Sequence, residues 1–451
     1  MSNERSGFSS RLGFVLATAG SAVGLGNLWR FPYLAAKYGG GSFLLIYLIL
    51  TVTFGFALMI TEVSIGRGSG TSALHAFGHF HKKFKFVGYL CSLIPFIIFP
   101  YYCVIGGWIT KYLLVSLQGK THVAASDTFF TGFIGKTAEP IMCLLFFMLL
   151  TTLIVALGVK SGVERVSTFM MPALIILLVA ISIFCITRPG AMAGVAYYLK
   201  PDVSRLSPTT FLAALGQLFF SMSLAMGIMI TYGSYLPKKA NLEKSVTQVE
   251  IFDTGVAFLA GLLIVPTVFV FSNGDASVLA KGPSLMFVML PKVFDSMAFG
   301  NIIAAVFFIL VFFAALTSAI SILETLVAGL TEALHIKRTT ACIIMFVLAS
   351  LLAAPSSFGF GIWSHITIIG FSFLDFFDFL SNSILMPIAA FLTCIFVAYV
   401  IKPDVIINEV ESSGEFKRKS LFLVMIKYIA PVCIIAILIF SIMEGMGIIT
   451  V

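Results

Sequence analysis

The sequence contains about eleven apolar stretches long enough to cross a bilayer, and this feature restricts the chain to polytopic membrane proteins. A transmembrane helix needs about 20 mostly apolar residues. Stretches of this kind lie at roughly 12–35, 42–66, 86–116, 140–158, 163–187, 209–235, 247–272, 299–331, 339–358, 375–400 and 422–446. Only 11% of the 451 residues are charged and 59% are hydrophobic, whereas soluble domains carry about 25% charged residues. The sequence therefore predicts an all-α membrane protein whose surface mostly contacts lipid.

The basic residues lie mainly in the short segments between the apolar stretches. The net charge of +8 therefore does not indicate a nucleic-acid partner, because membrane orientation itself requires charges in such loops. Most Lys and Arg residues fall on one side if the N-terminus is cytoplasmic, and eleven spans then place the C-terminus outside. We expect a multi-pass protein of the plasma or inner membrane, with one transporter domain over residues 1–451. The first apolar stretch is interpreted as a retained span rather than a signal peptide.

Two spans are interrupted by small and polar residues at mid-span. The first contains Gly20 to Asn27 and the sixth contains Ser221 to Gly227, and Gly costs about 1 kcal/mol relative to Ala inside a helix. Small residues can also simply allow close helix packing. Paired interruptions five spans apart are typical of transporters built from inverted repeats, with the binding site near the bilayer midplane. A broken helix there offers free carbonyls to a cation and free N–H groups to a carboxylate.

One long motif carries a family resemblance. The segment from Arg11 to Pro32, RLGFVLATAGSAVGLGNLWRFP, is followed by three glycines at 39–41. Together they resemble the signature of the neurotransmitter:sodium symporter family, and the similarity continues at 216–224, 231–235 and 312–318. A chain that ends after eleven spans is similar to the bacterial amino-acid transporters of that family, since other members usually have twelve.

The resemblance implies a fold of two five-helix inverted repeats with unwound first and sixth helices. The repeats would cover about 10–187 and about 208–400, and an extra helix would cover about 422–446. The implied function is a sodium-coupled symporter that imports hydrophobic L-amino acids by alternating access. The resemblance leaves the oligomeric state open.

The resemblance also implies two sodium sites. The first would use the Ala22 carbonyl with the side chains of Asn27, Ser221 and Asp253. The second would use the carbonyls of Gly20, Val23 and Ala314 with the hydroxyls of Thr317 and Ser318. For adjacent Ser and Thr residues in a helix, hydrogen bonds to their own backbone are the alternative.

The implied amino-acid site lies against the first interruption. Backbone N–H groups there and the Tyr102 hydroxyl would hold the carboxylate, and mostly apolar side chains would surround the substrate side chain. The full set is Ala22, Gly24, Leu25, Gly26, Ile98, Tyr102, Phe220, Ser221, Ser223, Met226, Ser318 and Ile322. Ordinary core packing is the alternative for the apolar members. Ala225 narrows the pocket relative to Gly while Met226 can yield, so aliphatic and aromatic substrates both stay open.

Asp253 predicts that transport does not require chloride. Animal members of the family carry Asn at the matching position and use chloride nearby. Tyr47, Gln217 and Ser221 match the rest of that chloride site, whereas Ala257 replaces a Ser. A carboxylate inside the membrane indicates function by default, and its fixed charge can substitute for the anion. The alternative is an Asp at a helix end that reaches cytosolic water.

Gates on both sides of the site follow from the resemblance. Outside, Arg30 would pair with Asp378, or with Asp375 instead, above a lid formed by Phe220. Inside, Arg5 would pair with Glu332 near Tyr235. Exposed ion pairs contribute only about 0–1 kcal/mol, which suits a gate that must open.

Three further residues are singled out by the pattern. Gly162 and Pro172 match a family motif in the fifth span, where Pro removes a backbone hydrogen bond and makes the helix easier to unwind. Glu62 is an acid inside the second span, and we expect it to accept hydrogen bonds from exposed backbone N–H groups of an interruption.

A channel and an intramembrane enzyme are the rival classes. A channel also needs polar residues at mid-span, but it needs neither two gates nor paired broken helices. The chain lacks the H-E-x-x-H and G-x-S-x-G motifs of common hydrolases, and its six His residues lie mainly in loops. A transporter saturates and concentrates its substrate, whereas a channel only equilibrates it and an enzyme converts it.

Overall fold

The computed structural model describes residues 7–271 and 285–445, except for the side chains of Arg205 and Phe271. In that part of the chain, nine continuous helices are long and apolar enough to cross a membrane. They are Gly41–Ser69, Lys82–Leu117, Ala138–Ala156, Val159–Ile186, Leu242–Val270, Gly300–Leu334, Arg338–Phe358, Phe373–Val400 and Lys419–Gly445. They match the predicted second to fifth and seventh to eleventh spans, and we number the spans accordingly. The all-α polytopic prediction is confirmed.

The first span is a broken helix. Its halves, Arg11–Ala22 and Gly26–Lys37, are bent by 52° at the break. The helix begins where the Ser10 hydroxyl accepts a hydrogen bond from the Gly13 N–H at 2.9 Å, a standard N-cap. It ends where Val23 becomes extended with ψ at 95°.

The sixth span is interrupted in the same way. It consists of Pro208–Ser221 and Ile228–Tyr235, separated by turns at 222–227. Pro208 occupies the first turn, where a missing N–H costs nothing. Ser223, Ala225 and Gly227 adopt left-handed φ angles of 52°, 62° and 73°, which cannot continue a right-handed helix. Neither half alone can span a bilayer, which is why only the interrupted pair corresponds to the predicted sixth span.

Short helices cover the loops between the spans. They are Ala73–Phe80, Thr121–Ala124, Phe129–Ile134, Ala191–Leu199, Leu290–Asp295 and Asp404–Glu411. The apolar stretch 360–373, which is too short to cross, forms turns with one isolated bridge between Ile368 and Phe371. Its interpretation as a loop agrees with the structure.

The eighth span lies, with the third, at the centre of the molecule. Of its most apolar part 72% is buried, as for the third span, against 39% for the fifth, ninth and eleventh spans. Every residue from Leu310 to Gly329 except Phe313 is buried. The first span packs against this helix and against the seventh. Exposed side chains such as Phe169 and Val432 place the fifth and eleventh spans at the lipid-facing periphery.

Glycines bring the second span and the second half of the sixth span into backbone contact. A Cβ at Gly66 would lie 1.8 Å from the Ile230 carbonyl oxygen, and one at Gly233 would lie 2.4 Å from the Val63 carbonyl oxygen. Close approach of small residues is a main source of helix association in membranes. This contact fixes the second half of the broken sixth span.

We expect Gly66→Ala to destabilise the protein, because the new methyl group meets backbone that cannot move alone. Overpacking of this kind costs about 1–3 kcal/mol or more. The measurement is the midpoint of thermal unfolding in detergent. Gly216→Ala is the control, since a Cβ there meets nothing within 4 Å. Equal midpoints for the two variants would contradict the close contact.

Candidate functional site

A buried carboxylate holds the interruption of the sixth span. Glu62 is 2% exposed, and its Oε1 accepts a hydrogen bond from the Ala225 N–H at 2.7 Å. Ala225 is one of the residues in the left-handed conformation, which costs a residue with a Cβ roughly 1–2 kcal/mol. The hydrogen bond offsets part of that cost and satisfies an N–H that the break exposes. The structure therefore shows the contact expected for Glu62.

A cavity lies between the two interruptions. About 390 Å³ of space that atoms do not fill lies in it, including the part that opens to solvent. Its lining consists of Ser21, Ala22, Gly24, Leu25, Gly26, Ile98, Tyr102, Phe220, Ser223, Met226, Ser318 and Ile322. All residues predicted for the substrate site line it except Ser221, which lies deeper against Asp253. Ser21 lines the cavity although it was not predicted to do so.

The polar end of the cavity suits a carboxylate. The Tyr102 hydroxyl is buried, and it faces the Ser318 hydroxyl and the Leu25 N–H without a well-formed hydrogen bond to either. A Cβ at Gly24 would lie 2.6 Å from the Ser318 hydroxyl and 3.4 Å from the Tyr102 hydroxyl, so only glycine leaves this space open. A second helix begins at Gly26, and helix starts present N–H groups to anions.

The rest of the cavity wall is apolar. Ile98, Phe220, Met226 and Ile322 contribute hydrocarbon, aromatic and thioether surface. No charged side chain lines the cavity among the described residues. A ligand that fits this shape carries an anionic head and an uncharged, apolar body.

Asp253 joins four spans at the first predicted cation site. It is fully buried, and its carboxylate accepts hydrogen bonds from Asn27 Nδ2 at 2.8 Å and from the Ser221 hydroxyl at 2.9 Å. The Tyr47 hydroxyl approaches its other oxygen at 3.4 Å. The Asn27 oxygen accepts from the Gly24 N–H at 3.1 Å. The alternative, an Asp reaching cytosolic water, is wrong because Asp253 has no exposed surface.

At the second predicted cation site, the Ser318 hydroxyl lies among carbonyls of the first span, whereas Thr317 follows the alternative and hydrogen-bonds to its own helix. The Ser318 hydroxyl lies 3.4 Å from the Gly20 carbonyl, 3.1 Å from the Ser21 carbonyl and 3.4 Å from the Val23 carbonyl. The Thr317 hydroxyl lies 3.1 Å from the carbonyl of Ala314 and 3.0 Å from that of Phe313, both on its own helix. Hydroxyl and carbonyl oxygens are the ligands that hard cations prefer. Ser318 also lines the cavity, so the cavity and the second predicted cation site share the Ser318 hydroxyl oxygen.

The outer gate residues are placed differently from the prediction. The Arg30 guanidinium lies over the Phe220 ring, 5.4 Å from its centroid, an attractive cation–π geometry. Asp378 accepts from Asn382 at 2.6 Å, and Asp375 is held by Ser372 at 2.7 Å. Within the described residues, Arg30 forms no ion pair with either carboxylate. Side chains close in sequence hold the two carboxylates instead, and Phe220 of the sixth span holds Arg30, although Arg30 and Asp378 still attract each other at longer range.

Glu332, the predicted inner gate acid, contacts the loop after the second span. Its carboxylate accepts from the Ser72 N–H at 3.0 Å. The predicted partner, Arg5, lies outside the described residues. The ring of Phe8 packs edge-on against Tyr232 and Tyr235 at 5.5 and 6.0 Å, so aromatic side chains close this end of the first span.

Sequence reasoning missed two polar contacts on the same side of the protein as Glu332 and Phe8. Glu324 is fully buried, pairs with Arg338 and accepts from the Tyr235 hydroxyl at 2.8 Å. Glu164, in the Gly162–Pro172 motif, accepts from the Ser9 N–H at 2.8 Å. The available signal was a carboxylate within each apolar span, since such acids are rare and need partners.

Comparison with known proteins gives the family. The model of the sodium:neurotransmitter symporter family matches residues 5–132 and 131–448. The chain is similar to the sodium-dependent transporter YhdH of Bacillus subtilis, with 35% identity over 95% of this chain and 96% of that protein. It is also similar to the sodium-dependent transporter MJ1319 of Methanocaldococcus jannaschii, with 33% identity over 96% and 90% of the two chains.

A solved structure and an animal protein extend the comparison. The crystal structure of MhsT in complex with L-phenylalanine matches with a TM-score of 0.87 and 38% identity, over 97% of this chain and 99% of that one. The human sodium- and chloride-dependent taurine transporter is 29% identical over 73% of this chain and 61% of its own length. The chain belongs to the sodium:neurotransmitter symporter family. It is a multi-pass, sodium-dependent membrane transporter rather than an enzyme.

We expect Tyr102→Phe to weaken binding of the carboxylate ligand without weakening the fold. The hydroxyl makes only weak contacts with Ser318 and Leu25 in the empty protein, so its removal costs the empty protein little. A hydrogen bond to a charged group contributes about 1.5–3 kcal/mol, which corresponds to a rise in Kd of roughly ten- to a hundredfold. Equilibrium binding and thermal unfolding of the empty protein measure the two effects. An unchanged Kd would exclude Tyr102 from the carboxylate site.

Proposed function

We propose that this protein imports hydrophobic L-amino acids together with sodium by alternating access. The observation that carries the proposal is the cavity between the two interruptions. Its polar end has the buried Tyr102 hydroxyl beside the Ser318 hydroxyl and the Leu25 N–H, and its body is apolar, with no charged lining residue in the described part of the chain. The complex of the related MhsT with L-phenylalanine supports the same class of ligand.

Two sodium ions supply the driving force in this proposal. One would bind at Asn27, Ser221 and Asp253 with the Ala22 carbonyl, and the other at the carbonyls and hydroxyls around Ser318. Each inward charge gains about 2.3 kcal/mol per 100 mV, and a tenfold gradient adds about 1.4 kcal/mol per ion. The total of about 7 kcal/mol can support accumulation of a neutral amino acid well beyond a thousandfold.

Alternating access requires that the contacts on the two sides break in turn. Outside, Arg30 and Phe220 cover the cavity, and Asp378 is the acid available to Arg30 when the outer vestibule rearranges. Inside, Phe8 and the Glu324–Arg338 pair close the path. We propose that the protein lies in the plasma or inner membrane. Its N-terminus is then in the cytoplasm and its C-terminus is outside.

We expect amino-acid binding to require sodium. Ser318 borders both the cavity and the second cation site, so the bound cation fixes an oxygen that the ligand contacts. Scintillation proximity binding of a labelled amino acid in sodium and in potassium buffer of equal ionic strength measures the requirement. Equal binding in the two buffers would refute coupling.

We expect hydrophobic L-amino acids to compete best for the site. Leucine, methionine, phenylalanine and tyrosine place apolar surface against Ile98, Met226 and Ile322, whereas glutamate and lysine would bury a charge without a partner, at a cost of several kcal/mol. A competition panel of the twenty amino acids at saturating sodium decides this. The pocket interpretation fails if glutamate or lysine displaces the label more strongly than these four.

We expect transport to be independent of chloride. A cation at the first site adds positive charge to a low-dielectric interior, where unpaired charge is costly, and Asp253 offsets it without an anion. Uptake into liposomes should therefore be unchanged when gluconate replaces chloride.

The variant Asp253→Asn provides the matched control for this experiment. It keeps the shape of the side chain and removes its charge, so uptake in gluconate should fall and added chloride should restore it at least in part. A chloride requirement of the wild-type protein would show that Asp253 does not supply the charge. Normal uptake by Asp253→Asn in gluconate would show the same.

A further inference from the structure

A second groove lies on the outside of the helix bundle, between the second and seventh spans. About 850 Å³ of space that atoms do not fill lies in and over it, including the part open to the surroundings. It shares no lining residue with the cavity between the interruptions, so it is not part of the substrate site. One end is apolar and the other end reaches the loop that precedes the eleventh span.

The apolar end faces the lipid. Leu48 and Val52 of the second span are 37% and 49% exposed, and Ile251 of the seventh span is 65% exposed. Between them, a Cβ at Gly255 would meet no atom within 4 Å. The floor of the groove is therefore open, and an acyl chain from the surrounding bilayer is the chemistry that fits an apolar, membrane-facing slot.

The polar end contains a carboxylate oxygen that lacks a donor. Glu250 is 3% exposed and pairs through one oxygen with Arg418 at 3.2 Å. Its other oxygen, Oε1, is buried and has no hydrogen-bond partner in the described part of the chain, and the same is true of the Thr254 hydroxyl one turn away. Native proteins rarely leave a buried carboxylate oxygen unpaired. A ligand with an N–H donor would complete the site.

Charges of both signs surround this end. The adjoining surface groove continues from the same Arg418 and is lined by Lys244 and Lys417 as well as by Glu243 and Glu415. Together with Arg418 and Glu250, these side chains make three basic and three acidic groups, so their charges cancel. Such a set matches a head group that carries one charge of each sign rather than an anionic one.

We propose that the groove binds a phosphatidylethanolamine molecule. Its acyl chain lies over Gly255, its phosphate faces Lys417, and its primary ammonium donates to Glu250, while Arg418 keeps its contacts with Glu243, Glu250 and Thr247. A choline head group has the same net charge but no N–H to donate, so the site distinguishes the two lipids. The proposal does not depend on which amino acid is transported.

The test uses the full chain, purified in detergent and mixed with equal amounts of phosphatidylethanolamine, phosphatidylcholine and phosphatidylglycerol of identical acyl chains. Native mass spectrometry counts the lipid retained. We expect retention of phosphatidylethanolamine about tenfold above phosphatidylcholine, the effect of one hydrogen bond to a charged group. Equal retention of the two, or a preference for phosphatidylglycerol, would overturn the head-group assignment.

Two variants locate the lipid. Gly255→Leu fills the open floor of the groove. This variant should therefore retain as little phosphatidylethanolamine as the wild-type protein retains phosphatidylcholine. Glu250→Gln should remove the preference for phosphatidylethanolamine. Ala180→Leu adds the same bulk on the exposed side of the fifth span and should change nothing. If Gly255→Leu keeps the wild-type retention while it unfolds at the wild-type temperature, the lipid does not occupy this groove.

Discussion

Hydrocarbon offers no hydrogen-bonding partner to a backbone N–H or C=O, so a helix can break inside a membrane only where the protein itself supplies partners. Both interruptions meet this condition with side chains from other spans or from just beyond the break. Glu62 accepts from Ala225, Asn27 accepts from Gly24, and Ser223 donates to the Ser21 carbonyl at 3.0 Å. The central eighth span shields the first break from lipid. The cavity exists because these partners leave a few backbone groups open on one side.

The charge of Asp253 needs partners inside the protein, just as the open backbone groups of the two breaks do. A buried carboxylate is costly unless donors surround it, and Asn27, Ser221 and Tyr47 supply them from the first, sixth and second spans. The seventh span therefore connects to both interrupted spans through one side chain. A movement of either broken helix changes the environment of this charge, which gives cation binding a direct mechanical link to helix position.

The bilayer explains why much of the fold could be predicted from sequence. Span lengths are fixed by its thickness, and clusters such as Gly20 to Asn27 mark a break because Gly and Asn are costly in a lipid-embedded helix. The cavity lining followed from the motif with the exceptions of Ser21 and Ser221. Those two could not be assigned because the direction of a side chain at the edge of a break depends on local dihedral angles that no periodicity describes.

Contacts between charges that are distant in sequence or exposed could not be predicted either. Arg30 stacks on Phe220 rather than pairing with Asp378, because several weak partners compete at an exposed position and their differences are within about 1 kcal/mol. The Glu324–Arg338 and Glu250–Arg418 pairs join different elements. Sequence identifies each member as an unusual charge in an apolar setting but not which charge it meets.

The Ser318 hydroxyl has one hydrogen and three carbonyl neighbours, those of Gly20, Ser21 and Val23. It can satisfy only one of them at a time. The other two carbonyl oxygens then receive no hydrogen from Ser318. In the proposed mechanism, a cation bound at these oxygens would take a lone pair of the hydroxyl and would leave its hydrogen to turn toward the cavity. Occupancy by the ion would thus change Ser318 from a donor to the backbone into a donor to whatever lies beside Tyr102, and by thermodynamic reciprocity the amino acid would in turn favour the ion.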